Sequence, residues 1–150
     1  MKVIYARQPL PHSIFLAGPS PRDRETHSWR PEALANLQEL GYKGTVLVPE
    51  DEDYENVDYD AQVGWEFDAL NQASVIVFWV PREISKMPAF TTNVEFGMFA
   101  HSRKVLLGFP DWAEKMSYLE HHAKVIGIPI YRSLFCLLQA AVVFPYRANK

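Results

Sequence analysis

The chain predicts a doubly wound α/β fold: a single, mainly parallel five-stranded sheet with helices on both faces. Three observations carry that expectation. Residues 74–80, SVIVFWV, are an unbroken apolar run without alternation, as a central parallel strand covered on both faces requires. Short strand-like runs alternate with segments of helical periodicity along the chain. Breaks at Gly18-Pro19, Gly41 and Pro49 separate them.

Residues 13–17, SIFLA, read as a buried strand stopped by Gly18-Pro19. A helix follows, with Ser28 as N-cap, Pro31 in the first turn, and Trp29, Ala33, Leu37 and Leu40 at three- and four-residue spacing before Gly41 closes it. Residues 45–48, TVLV, make a second strand. Residues 50–60, EDEDYENVDYD, place seven acidic groups in eleven positions, which repel one another in any regular element and suit a solvated loop. No Gly-containing calcium-loop spacing is present there. Residues 61–72 are expected to be a helix carrying Trp65 and Glu66, followed by the central strand and a loop over 81–90. A helix over 92–101, a strand over 104–109 and a helix over 113–123 come next. Residues 128–131 form the fifth strand, and Ser133 caps a final apolar helix.

At 150 residues and 48% hydrophobic content, residues 1–150 are expected to form one domain with a buried core. A net charge of −3 gives no basic field, so no polymeric nucleic-acid partner is expected. The single cysteine, Cys136, has no disulfide or metal partner of its own kind, which points to a cytoplasmic setting. The N-terminal apolar runs are interrupted by polar residues and prolines, unlike a signal peptide. The longest apolar run, LFCLLQAAVVF, is shorter than the roughly 20 residues of a membrane span and contains Gln139, so it reads as a buried terminal element and no membrane partner is expected. No H-E-x-x-H, G-x-S-x-G, G-x-G-x-x-G or P-loop pattern occurs.

Ligands of doubly wound sheets bind beyond the carboxyl ends of the strands. That rule selects GPSPRDR (18–24), PREISKMPAFTTNVE (81–95) and GFPDW (108–112). Within the second, TTNVEFG sets one carboxylate, Glu95, among apolar residues at a helix start. Thr92 and Glu95 fit a capping box, whose carboxylate only satisfies backbone donors, and they equally fit an ionised carboxylate stabilised by the helix dipole. Either way Glu95 is expected to be charged at neutral pH.

Four stretches, IFLAGP (14–19), SWR (28–30), WEFDALNQASVIVFWVPRE (65–83) and TTNVEFG (91–97), occur in an order that resembles the nucleoside 2-deoxyribosyltransferase family, in its deoxyribosyltransferase-like branch. The resemblance implies that Glu95 is the nucleophile attacking the anomeric carbon of a deoxyribose. A carboxylate suits that task because it can bond to an oxocarbenium-like centre and still leave, splitting one displacement into two. It implies a second acidic residue in the preceding helix, Glu66 or alternatively Asp68, that orients substrate or handles the proton of the departing base. Gly97 would let a neighbouring backbone approach, or serve helix packing alone. Trp79 and Arg82 would hold the base, with a core position the alternative for Trp79; Asp111 would hold the sugar, and Gly18, Pro19, Trp29, Arg30 and Asn93 are carried over as substrate-binding positions.

Neither metal nor cofactor is implied. The implied partners are a nucleoside or nucleotide and a free base, as in nucleotide salvage. A homo-oligomer is also implied, with sites completed by a neighbouring chain and the apolar 134–144 segment available as its interface. Phe15 stands where many members carry a tyrosine that steadies the nucleophile, so Glu95 needs another orienting partner. Two alternatives accompany the transferase. One is a nucleoside 5′-monophosphate N-glycosidase, with phosphate held near Ser20, Arg22, Arg24 or Arg30. The other is a non-catalytic nucleotide-binding module.

Overall fold

The structure is a computed structural model that describes residues 12–50 and 58–145. Residues 51–57, most of the acidic segment read as a solvated loop, lie outside the described residues, as do residues 1–11 with the first of the N-terminal apolar runs. Five strands, β1 (Ser13–Ala17), β2 (Thr45–Leu47), β3 (Val75–Trp79), β4 (Val105–Gly108) and β5 (Ile130–Tyr131), pair all-parallel in the order β2-β1-β3-β4-β5. The helices are α1 (Arg30–Glu39), α2 (Tyr59–Gln72), α3 (Phe90–Phe99), α4 (Ser117–Ile126) and α5 (Leu134–Val142), with a 3-10 turn at Ala100–Ser102 after α3. This is the doubly wound α/β class expected from the sequence.

The strands are apolar throughout because both faces are covered. Phe15, Ala17, Ile76, Phe78 and Leu107 point to one face and pack with Leu70 of α2, Phe96 and Phe99 of α3, and Leu119 and Ala123 of α4. Ile14, Leu16, Val75, Val77 and Leu106 point to the other and pack with Ala33 and Leu37 of α1 and with Leu137 and Leu138 of α5. Each such leucine contributes about 1.5–3 kcal/mol by leaving water. The apolar run near the C-terminus is the buried terminal element expected from the sequence: Leu134, Leu137, Leu138 and Ala141 of α5 are all buried and so are not free to form an interface. Large exposed apolar side chains include Tyr59, Val63 and Phe67 of α2 and Phe90, Val94 and Met98 of α3.

Local signals explain several helix ends. The Ser28 hydroxyl accepts the Arg30 N–H at 3.1 Å, and Gly41, at φ 70°, lets the Tyr42 N–H reach back to the Leu37 carbonyl at 3.0 Å. Asp58 caps α2 by accepting from the Asp60 and Ala61 N–H groups, so the helix begins two residues before the expected start. At its far end the Lys104 ammonium donates to the carbonyls of Leu70, Asn71 and Ala73 at 2.7–3.0 Å, closing α2. The helix expected over 113–123 begins instead at Ser117, because Lys115 at φ 54° breaks the chain direction just ahead of it.

Candidate active site

β1 and β3 are adjacent, but the chain leaves β1 toward β2 on one side and β3 toward β4 on the other, which opens a crevice at their carboxyl ends. A cavity of about 260 Å³ lies there. The β1–α1 turn contributes Gly18, Pro19, Ser20 and Arg22; the start of α1 contributes Arg30, and the end of β2 contributes Pro49. α2 presents Tyr59, Gln62, Val63 and Glu66, an i, i+3, i+4, i+7 face. The last wall is 88–92 with Glu95 of α3.

Gly18 makes the turn possible. Its φ is 149°, and a Cβ there would meet the Trp79 carbonyl oxygen at 2.1 Å and the Trp29 indole at 2.9 Å. Arg30, 1% exposed, then ties the turn down. It donates to the carbonyl oxygens of Leu16, Gly18 and Pro19, to the Ser20 hydroxyl and to Glu50, and it stacks on Trp29 at 4.8 Å. Glu50 also accepts from the Ser28 hydroxyl at 2.9 Å. This acid, read with the solvated run, is therefore the counter-ion of a buried guanidinium. The electrostatic benefit of such a pair offsets its desolvation only because nearly every donor is matched.

Both helix carboxylates enter this cavity. Glu66 accepts from the Gln62 amide at 3.0 Å, and burial raises its pKa, offset by that hydrogen bond and by Arg30. Glu95 is raised to about 7, first by burial and then by the neighbouring Glu66 charge, with Arg30 pulling the other way. Two sequence expectations are corrected here. α3 begins at Phe90 behind Ala89, which adopts φ 60°, and no side chain caps it; Thr92 is buried and Glu95 stands well inside the helix. The capping box does not form, and Glu95 is not fully charged at pH 7, because desolvation outweighs a dipole whose reach ends with the first turn. A Cβ on Gly97 would meet nothing within 4 Å, so no backbone approaches it.

Of the other sequence-selected residues, Gly18, Pro19 and Arg30 line the cavity with the two glutamates, whereas Trp29, Trp79, Arg82, Asn93 and Asp111 do not. The Trp29 indole N–H donates to the Pro19 carbonyl at 3.1 Å and so supports the turn from behind. Trp79 is packed over Gly108 on the α1/α5 face, where its ring carbons stand 2.9 and 3.1 Å from the position of a Gly108 Cβ. Buried Arg82 donates to Asn93 of α3 and to the Lys115 carbonyl. Asp111 is on the surface, 3.9 Å from Arg132. Asp68, the alternative to Glu66, is exposed and away from the cavity lining.

The sequence reading missed Tyr59, Gln62, Glu50 and Phe90. The i, i+4 relation of Gln62 to Glu66 was available in the sequence, since both lie in the helix expected over 61–72, whereas Tyr59 lies before its expected start. Glu50 carried no local signal, because its partner is 20 residues away. Phe90, exposed at the mouth, faces Arg22, whose guanidinium carbon is 5.6 Å from its ring centre. Chemically, the site offers two carboxyl groups with raised pKa, a buried cation beneath them, and an apolar and cationic mouth.

A family model described as nucleoside 2-deoxyribosyltransferase like matches residues 11–113, a span that includes all the cavity-lining residues. Comparison with curated proteins gave no match. Among the described residues no helix is long and apolar enough to cross a membrane.

Proposed function

The chain belongs to the nucleoside 2-deoxyribosyltransferase-like family, and on that premise we propose that it breaks and remakes the N-glycosidic bond of a 2′-deoxyribonucleoside through a covalent glycosyl-Glu95 intermediate. The observation that carries this reading is the shared cavity of Glu95 and Glu66, with Glu95 raised to about 7. Two interacting carboxyls titrate as a pair, so near neutral pH one proton can be held between them. With that proton on Glu66, the Glu95 carboxylate attacks C1′ as the C1′–N bond breaks, and the departing base nitrogen takes the proton from Glu66. In the second half, an acceptor base loses its proton to Glu66 as its nitrogen bonds to C1′, and Glu95 leaves as the carboxylate. Water in place of the acceptor base gives free deoxyribose with the same proton balance.

The test is incubation with each deoxynucleoside, with and without a second free base, followed by product analysis and by mass spectrometry with a 2′-fluoro substrate that slows release of the intermediate. Exchange of bases and a fluorodeoxyribosyl adduct on Glu95 are expected. Absence of both base exchange and base release with every deoxynucleoside would overturn the proposal and favour a binding module.

A second reading, an N-glycosidase acting on nucleoside 5′-monophosphates, is favoured by Arg22 and Ser20 on the cavity wall. Under it a monophosphate is cleaved much faster than its nucleoside, and equal rates dispose of it. The family resemblance also supports a homo-oligomer, for which light scattering that finds only monomer at micromolar concentration is the contrary result.

A further inference from the structure

Arg82 stands out because it is 3% exposed and has no carboxylate partner among the described residues. Burying a cation without a counter-ion costs stability, and its Nε also has no hydrogen-bond partner among the described residues. What it does have is a fork. One terminal nitrogen donates to Asn93 Oδ1 of α3, and the other donates to the Lys115 carbonyl oxygen at 2.9 Å. Its own carbonyl accepts the Glu114 N–H at 3.0 Å, so Arg82 is bound at both ends to the loop between β4 and α4.

α3 needs such a hold. It starts from left-handed Ala89 without a side-chain cap, and no described group hydrogen-bonds the Glu95 carboxylate directly. Asn93 and Glu95 are two residues apart, roughly 200° around the helix, so a bond at Asn93 restrains α3 from the side opposite the cavity. We propose that Arg82 is a positioning residue: by clamping Asn93 to the β4–α4 loop it fixes the rotation of α3 and hence the direction in which Glu95 enters the cavity. The clamp's catalytic consequence rests on the role given to Glu95 above; its structural consequence does not.

Arg82→Lys keeps the charge and loses the fork, and Asn93→Ala removes the acceptor from the surface side. Both should lower kcat by about tenfold to a hundredfold with KM nearly unchanged, the signature of a displaced reacting group. Asn93→Asp, which keeps an acceptor oxygen, should recover most of that loss. A readout independent of turnover is the titration of Glu95 followed by 13C NMR in glutamate-labelled protein. The charged and titratable groups that line the cavity with it are Glu66 and Tyr59 of α2, Arg30 of α1 and Arg22 of the β1–α1 turn, and neither Arg82→Lys nor Asn93→Ala alters any of them. If α3 turns the carboxyl toward water, its midpoint should fall from about 7 in both variants.

Folded Asn93→Ala protein with wild-type kcat and an unmoved Glu95 midpoint would overturn the proposal, whether or not Arg82→Lys folds. A lowered midpoint in protein that transfers no deoxyribose in any form would uphold the clamp and refute the proposed reaction.

Discussion

Replacing Glu95 by Gln tests the site through stability as well as turnover. The folded-state pKa of Glu95 is about 7 against an ordinary 4.5, so between those values the native state holds a proton that the unfolded chain has released. The contribution is therefore fully present below about pH 4.5, declines as pH rises through about 7, and is gone above that. The gap corresponds to about 3 kcal/mol at ~1.36 kcal/mol per pH unit, and residual solvent contact reduces this to about 2 kcal/mol. Glu95→Gln cannot ionise, so it should be more stable than wild type by about 2 kcal/mol at pH 8.5, or roughly 4–8 °C in Tm, and nearly equal to it at pH 4.5. Urea and thermal melts of both proteins at those two pH values measure the difference, and base exchange measured alongside should fall by several orders of magnitude. Parallel pH dependence of the two proteins would refute the desolvated carboxylate. Near-normal exchange by folded Glu95→Gln would eliminate the covalent mechanism.

Glu66→Gln should keep the fold and reduce transfer by about a hundredfold or more, with the pH–rate profile losing the limb due to the proton donor. Gly18→Ala, whose added methyl would lie 2.1 Å from the Trp79 carbonyl oxygen, should destabilise by about 3 kcal/mol in urea denaturation; a wild-type midpoint would show that the turn can shift without cost. Lys104→Met removes the donors that close α2 and should cost about 1–3 kcal/mol, read by hydrogen exchange at the end of that helix. If phosphate is recognised, Arg22→Ala should abolish any preference for a monophosphate while sparing cleavage of the free nucleoside.

The strand runs SIFLA, TVLV and SVIVFWV were legible because a parallel strand buried on both faces must be apolar at every position, which is a local requirement. Gly18 and Gly41 were legible as chain breaks for a similar reason, since backbone conformation acts on the residue itself. Glu95 was found by its motif and the family resemblance, but its helix was begun two residues late. Thr91 and Thr92 look like caps in isolation, whereas burial of Thr92 and the turn at Ala89 are set by packing on the sheet.

The sequence by itself determined the layered α/β class, the strand positions and the two glutamates worth following. Tertiary structure alone decided that Glu66 rather than exposed Asp68 lines the cavity with Glu95, that Glu50 leaves the acidic run to pair with Arg30, and that Trp79 serves the core. It also decided the protonation of Glu95. The helix start expected from the sequence favours the charged form, but desolvation and the field of Glu66 depend on atoms brought together from distant parts of the chain, and in this cavity they prevail.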